Sequence, residues 1–211
     1  MDIALSDAIL SNNEAVVEDF IKKVKESERQ KNEAFLFAVH HKRTKLAKKF
    51  MALDLDLTYE KDGWTALGKA SANGNLELVN ELLSVGANIN HQSSKGWTAL
   101  MVAACNKQEK LADFLIDNGA NVNLCDLNGK TAMICAAYYG SLAIAERLIE
   151  KGADLLKKDN QGRDAYTIAM QQGHKEIAKA IKLSFKKKIK EIKRIVSPQR
   201  IQAQNNKENE G

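Results

Sequence analysis

Residues 96–123 read GWTALMVAACNKQEKLADFLIDNGANVN, and a shift of 33 residues in either direction reaches a recognisable copy of this stretch. The upstream copy opens with GWTAL at 63–67 and closes with GANIN at 86–90. The downstream copy opens with GKTAM and closes with GAD, and a further opening follows at Gly162. A fixed period of this length indicates a solenoid in which each unit packs on its neighbours.

The residues that recur have physical reasons to do so. A threonine, or in the last copy an aspartate, precedes an apolar helical run, and its side chain can accept from the free N–H groups of the first turn. An alanine one turn further on is small enough to let helices approach closely. A glycine follows the second helix, where it can adopt the left-handed conformation that ends a helix. These positions are Thr65, Thr98, Thr131 and Asp164; Ala70, Ala103, Ala136 and Ala169; and Gly86, Gly119 and Gly152.

The pattern G-x-T-A-L, a second alanine four residues after the first, and G-A-[ND] near the end resembles the ankyrin repeat. The resemblance implies an all-α solenoid of stacked helix-turn-helix units with short β-hairpin fingers. The family commonly has T-P-L-H where this chain has TALG, TALM and TAMI, so its proline and histidine are absent here. We expect the fold to persist without them, with less rigidity than a consensus array.

The first sixty residues follow the same pattern with different residues. AILSNNEAVVEDFI at 8–21 aligns with ASANGNLELVNELL at 70–83, with Asn12 in place of the turn glycine Gly74. Terminal repeats of a solenoid are expected to be atypical. We therefore predict one domain over residues 1–183 with six repeats, the first two divergent, at about 2–30, 31–60, 61–93, 94–126, 127–159 and 160–183.

Composition excludes several classes of protein. The 211 residues are 44% hydrophobic, which suffices for an elongated core. No apolar run is long enough to span a membrane, and MDIALSDAIL lacks a signal-peptide pattern. We expect a cytoplasmic location, with nuclear import as a further option. Three cysteines without C-x-x-C spacing argue against disulfides or a zinc site, and we interpret Cys105 and Cys135 as packing residues.

The sequence gives no sign of catalysis. Phosphate-loop, nucleophile-elbow and H-E-x-x-H motifs are absent, and His91 and His174 are isolated. We predict that the protein is not an enzyme and has no catalytic residue, metal or cofactor. The basic run HHKRTK at 40–45, with Lys48 and Lys49, could bind an anion or form a solvated outer face. The apolar residues interleaved with it favour the solvated face.

The candidate site follows from the resemblance, which implies that fingers and first helices form a concave surface that binds a partner protein. Both tryptophans of the chain occupy the same finger slot in consecutive repeats, and the tyrosine pair should lie beside them. Aromatic and arginine side chains are enriched in binding hot spots. Lysines at the border would favour an acidic rim on the partner. The predicted partner-binding residues are Trp64, Lys95, Trp97, Asn106, Lys130, Tyr138, Tyr139 and Arg163.

In this interpretation the chain is a scaffold, adaptor or inhibitor that binds another protein. We expect it to be a monomer and to bind neither nucleic acid nor membrane. In a competing interpretation the tryptophans only stack on neighbouring fingers and stiffen them.

The C-terminal segment is basic. Residues 182–211 contain nine Lys or Arg and three Glu, a balance of +6 in a chain with net charge +5, so the repeats are nearly neutral. We predict an amphipathic helix at 184–198 and a disordered tail at 199–211, and Ser197-Pro198 resembles a kinase site. The helix could cap the last repeat, bind a partner groove or anionic membrane, or contact nucleic acid or an import receptor. Its basic residues are Lys186, Lys187, Lys188, Lys190, Lys193 and Arg194.

Overall fold

The computed structural model describes residues 3–23 and 27–195, which form twelve helices in six consecutive pairs. Among these residues the only β-pairing is isolated bridges, so the predicted all-α solenoid with short fingers is confirmed. The pairs are α1 (Ile3–Leu10) with α2 (Glu14–Lys23), α3 (Glu28–His40) with α4 (Thr44–Phe50), α5 (Ala66–Ala72) with α6 (Leu76–Ser84), α7 (Ala99–Cys105) with α8 (Glu109–Asp117), α9 (Ala132–Tyr139) with α10 (Leu142–Glu150), and α11 (Ala165–Gln171) with α12 (Lys175–Ile195).

The helices form two layers. The first helix of each pair contacts the first helix of the next, from α1 to α11, and second helices such as α8, α10 and α12 contact one another outside them. The apolar core lies between these layers. The recurring alanines have no exposed surface, as close packing of the first helices requires; they are Ala70, Ala103, Ala136 and Ala169.

Four first helices start at the capping residues that the sequence predicts. Each side-chain oxygen accepts a hydrogen bond from the N–H three residues later, which fixes where the helix begins. The bonds run to Thr65 from Gly68 at 3.1 Å, to Thr98 from Met101 at 3.2 Å, to Thr131 from Ile134 at 3.2 Å, and to Asp164 from Thr167 at 2.8 Å.

The turn between the two helices of every pair contains one left-handed residue. Glycine fills this position in three repeats and other residues fill it in the rest, where the conformation costs free energy. The residues and their φ angles are Asn12 57°, Lys42 58°, Gly74 66°, Lys107 55°, Gly140 77° and Gly173 79°. The predicted equivalence of Asn12 and Gly74 is therefore confirmed by their backbone conformation.

The fingers are tight turns that precede α5, α7, α9 and α11. Neighbouring fingers are joined by hydrogen bonds between residues about one repeat apart. The Leu127 N–H donates to the Lys95 carbonyl at 3.2 Å, and the Asn160 N–H donates to the Asn128 carbonyl at 2.9 Å. These bonds join the fingers that precede α7, α9 and α11 into one row.

Two helix bounds differ from the expected repeat limits. Helix α3 begins at Glu28, before the limit at 31, because Ser27 accepts from the Gln30 N–H at 3.4 Å and caps it. Helix α12 runs through the limit at 183 without a break, since the sequence from 175 to 195 contains neither glycine nor proline. The predicted kinase-like motif and disordered tail lie outside the described residues.

The basic run at 40–49 is tied to neighbouring repeats. Lys48 lies 2.6 Å from Glu77 and 2.5 Å from Glu81, and Lys49 lies 2.6 Å from Glu14. These pairs join outer helices of adjacent repeats. They support the solvated-face interpretation, in which exposed ion pairs contribute little to stability.

Candidate functional site

The tryptophans of two adjacent fingers line one cavity of about 360 Å³ on the side of the first helices. Five of the eight predicted partner-binding residues are in its lining, so the structure brings most of the predicted site together. The cavity is lined by Gly63, Trp64, Lys95, Trp97, Val102, Cys105, Asn106 and Tyr139.

The finger turn positions Trp64. Asp62 and Gly63 have φ of 57° and 78°, and Lys61 and Trp64 exchange two backbone hydrogen bonds of 3.0 and 3.1 Å. Asp-Gly suits a two-residue turn that needs positive φ at both positions. Because Trp64 directly precedes the capping residue Thr65, its side chain is held at the base of α5.

Trp97 has the same position one repeat later. Its carbonyl accepts from the Ser93 N–H at 3.0 Å, and its own N–H donates to the Ser93 hydroxyl at 3.3 Å. The Trp97 side chain packs against the core as well as lining the cavity. The Trp97 side chain therefore also contributes to the packing of the core.

Two lysines belong to this site. The Lys95 side chain lies over Gly63 of the preceding finger, where an added Cβ would be 2.9 Å from the Lys95 Cε atom. The Lys69 Nζ atom lies 4.5 Å from the Trp64 ring centroid, within the range of a cation–π contact. Burial lowers the pKa of Lys69, and attraction to the Asp62 carboxylate partly opposes this.

Lys69 is not among the residues predicted from the sequence, although its repeat position is unusual for a lysine. The equivalent position in the next three repeats is apolar and buried, as Val102, Cys135 and Ile168. A lysine at a position that is otherwise apolar indicates a special environment, which here is the face of Trp64.

The tyrosine pair lies at the end of α9. Tyr138 and Tyr139 are 42% and 43% exposed, with ring centroids 5.0 Å apart in an edge-to-face arrangement. Only Tyr139 lines the cavity. Tyr138 faces the Lys130 ammonium at 6.0 Å instead, so the predicted aromatic patch extends from the cavity toward the fifth repeat.

One cysteine, Cys105, forms part of the cavity floor. Cys105 is partly exposed in the cavity, whereas Cys135 is 2% exposed. The neighbouring Cys105 thiol and burial together raise the pKa of Cys135 well above its usual value. Cys135 therefore stays a neutral packing residue, as predicted, while Cys105 also offers surface to the cavity.

Arg163 is bound inside its own finger. Its guanidinium Nε and Nη2 atoms lie 2.9 and 2.7 Å from one carboxylate oxygen of Asp159. Burial raises the pKa of Asp159, but this contact and the backbone N–H groups of Arg163 and Gln161 outweigh burial and lower it overall. The predicted partner-binding Arg163 thus has a structural partner already.

The basic segment of α12 extends beyond the repeats. Phe185 still packs against the core, but every described residue from 186 to 195 is exposed. Ile189 and Ile192, which a capping helix would bury, are 53% and 59% exposed. The apolar stripe therefore covers the last repeat only as far as Phe185.

Two other kinds of site are absent from residues 3–23 and 27–195. No group of three or more His, Cys, Asp or Glu side chains there is arranged to hold a metal ion. None of the helices in these two ranges combines the length and the apolar character needed to cross a membrane.

Comparison with known proteins agrees with this architecture. A family model described as "Ankyrin repeats (3 copies)" matches four overlapping stretches, residues 5–93, 35–126, 69–159 and 101–191. The matches include both divergent N-terminal repeats. A search of curated proteins gives no significant match. Because the matched stretches span nearly all of the described helices, the chain belongs to the ankyrin-repeat family.

Proposed function

We propose that this protein binds another protein through its concave surface, centred on the cavity between Trp64 and Trp97. Ankyrin repeats generally act as protein–protein interaction modules, and the fold is typically a binding scaffold rather than an enzyme. The observation that carries the proposal is that three aromatic side chains from three consecutive repeats converge on one cavity. The protein would then act as a scaffold, adaptor or inhibitor.

The exposed aromatic surface of the cavity supports this location. A partner side chain that fills the cavity would exclude water from Trp64 and Tyr139, both of which keep solvent-accessible surface in the free protein. Truncation of such an aromatic side chain to alanine usually weakens binding by about 1 to 4 kcal/mol. The lysines at the border would mainly increase the rate of encounter with an acidic partner.

The test is an affinity capture from cell lysate with the full chain and with the Trp64→Ala/Trp97→Ala variant. Leu127→Ala is the matched control, because Leu127 is a 71% exposed apolar finger residue outside the cavity. Circular dichroism must first show equal helicity. We expect some proteins to be lost from the double variant and kept by the control. A double variant that captures the same proteins as the wild type would refute the proposal.

A second candidate function is the binding of an anionic membrane surface by the exposed end of α12. Residues 184–195 carry six Lys or Arg and one Glu, and Ile189, Ile192 and Ile195 are 53%, 59% and 57% exposed. Exposed isoleucines beside lysines suit a lipid interface, where both the apolar and the cationic side chains find partners. The phosphate backbone of a nucleic acid would bind the lysines but offer the isoleucines no apolar partner.

Vesicle sedimentation tests this candidate. The full chain should sediment with phosphatidylserine-containing vesicles and not with pure phosphatidylcholine. Ile189→Ser/Ile192→Ser should reduce the bound fraction at unchanged charge. Deletion of residues 186–211 from the chain should abolish vesicle binding but leave unchanged the set of proteins captured through the cavity. If the serine variant binds vesicles like the wild type, lipid insertion is excluded.

A further inference from the structure

We infer that the partner segment which enters the cavity carries a bulky aliphatic or aromatic side chain next to an acidic residue, and not a cationic group. The inference rests on the proposed function, because it names the chemistry of the segment that binds at the same cavity.

The shape and lining of the cavity call for an apolar anchor. At about 360 Å³ it has room for one large side chain, at the small end of the range for ligand sites. Trp64, Trp97 and Tyr139 supply the aromatic surface, and Val102 and Cys105 supply the apolar floor. No aspartate or glutamate is among the residues that line it.

Aromatic side chains around a cavity often indicate a site for a quaternary ammonium or methylated lysine, which binds over the ring faces. Here the protein supplies its own cations. The Lys69 ammonium lies 4.5 Å from the Trp64 ring centroid, and Lys95 lines the cavity beside it. A positively charged group of the partner inside the cavity would be repelled by both ammonium groups.

The remaining charges around the cavity favour an acidic neighbour for the anchor. Asp62 is the nearby carboxylate that attracts Lys69, so these two charges partly cancel. In the part of the chain that the structure describes, Lys95 and Lys130 form no ion pair, whereas Arg163 is bound to Asp159. Lys95, which lines the cavity, can therefore donate to a carboxylate of the partner without breaking an existing ion pair.

The occupant is an extended segment of a partner protein. A second copy of this chain would bring its own lysine-bordered surface against the same charges, and like charges across an interface are unfavourable. Because Lys95 lines the cavity itself, we expect the carboxylate within about two residues of the apolar side chain, a span of about 7 Å in an extended segment.

Selection of binders from a displayed library of random nonapeptides tests the inference on the full chain. We expect enriched peptides to share a Leu, Ile, Met, Phe or Trp within two positions of an Asp or Glu. The two tryptophans of the chain both line the cavity, so binding of a selected peptide should change their fluorescence. Replacing the acid by its amide should weaken binding about tenfold, as expected for a hydrogen bond between charged groups.

Lys95→Met keeps the aliphatic stem over Gly63 and removes the charge. Lys95→Met should bind the acidic peptide about tenfold more weakly than the wild type does, and should bind the acidic and amide peptides equally well. Lys95→Arg should keep the preference for the acidic peptide. Peptides that need Trp97 but are enriched in Lys, Arg or trimethyllysine, or that show no acidic preference, would overturn the inference and leave the proposed function standing. Peptides that bind Trp64→Ala/Trp97→Ala as well as wild type, or no enrichment at all, would count against both.

Discussion

Gly96 lies so close to Asp126 that an added Cβ would be 2.8 Å from the Asp126 Cα atom. The contact joins the finger that precedes α7 to the finger that precedes α9, beside the hydrogen bond from the Leu127 N–H to the Lys95 carbonyl. Gly96 also has a φ of 79°, which side-chain-bearing residues rarely adopt. Two independent constraints therefore require glycine at this position.

The Gly96→Ala variant should lose about 2 to 5 kcal/mol of unfolding free energy, from left-handed strain of about 1 to 2 and overpacking of about 1 to 3 kcal/mol. Gly152→Ala is the control, because Gly152 has the same φ of 79° but nothing within 4 Å of an added Cβ. Gly152→Ala should lower the unfolding free energy by only about 1 to 2 kcal/mol, the cost of the left-handed conformation alone. Urea denaturation measures both. Equal losses of unfolding free energy in the two variants would show that the close approach of Asp126 does not require glycine at position 96.

The features that the sequence predicts well are those set by local chemistry at repeated positions. Thr65 and Asp164 cap helices because their own oxygens reach an N–H three residues away, and this needs no knowledge of the fold. The meeting of Trp64 and Trp97 is predictable because a fixed repeat length brings equivalent residues side by side.

Other features depend on side-chain conformation and on where the packed body ends. A lysine at position 69 is unusual among the repeats, but the sequence does not show that Lys69 lies over Trp64 or that the Arg163 side chain turns back to Asp159. The apolar spacing of α12 continues past Phe185 whether or not a neighbouring helix exists to cover it. The sequence therefore indicates an amphipathic helix but not where the repeats cease to cover it, and residues 186–195 are exposed.

The left-handed lysine between α7 and α8 should limit stability. Lys107 has a φ of 55° at a position that is glycine in three other repeats. Lys107→Gly should raise the unfolding free energy by about 1 kcal/mol, because glycine adopts this conformation without steric cost. Lys110→Gly, in the first turn of α8, should lower it by up to about 1 kcal/mol, the cost of glycine in a helix interior. Thermal melts of the two variants should shift in opposite directions; a loss in both would contradict the interpretation.

Acid should weaken the finger that contains Asp159. Its pKa is lowered in the folded state, so its contribution to stability is complete above the unfolded pKa and is lost as the pH falls through the folded value. Asp159→Asn should cost about 1 kcal/mol or more at pH 7, and this difference from wild type should shrink toward pH 2. Denaturation at pH 7, 4 and 2.5 measures the trend. A difference that is independent of pH would show that the carboxylate charge is unimportant.

The two adjacent tyrosines should contribute unequally to partner binding. Tyr139 lines the cavity, whereas Tyr138 lies outside it and faces Lys130. Tyr139→Ala should therefore weaken binding of a captured partner by about 1 to 4 kcal/mol, the range for aromatic anchors. Tyr138→Ala should cost less, because its ring contacts the partner only at the edge of the patch. Calorimetric titration of both variants, with helicity checked by circular dichroism, gives the two values. A larger loss for Tyr138→Ala would place the centre of the interface over the fifth repeat rather than at the tryptophan cavity.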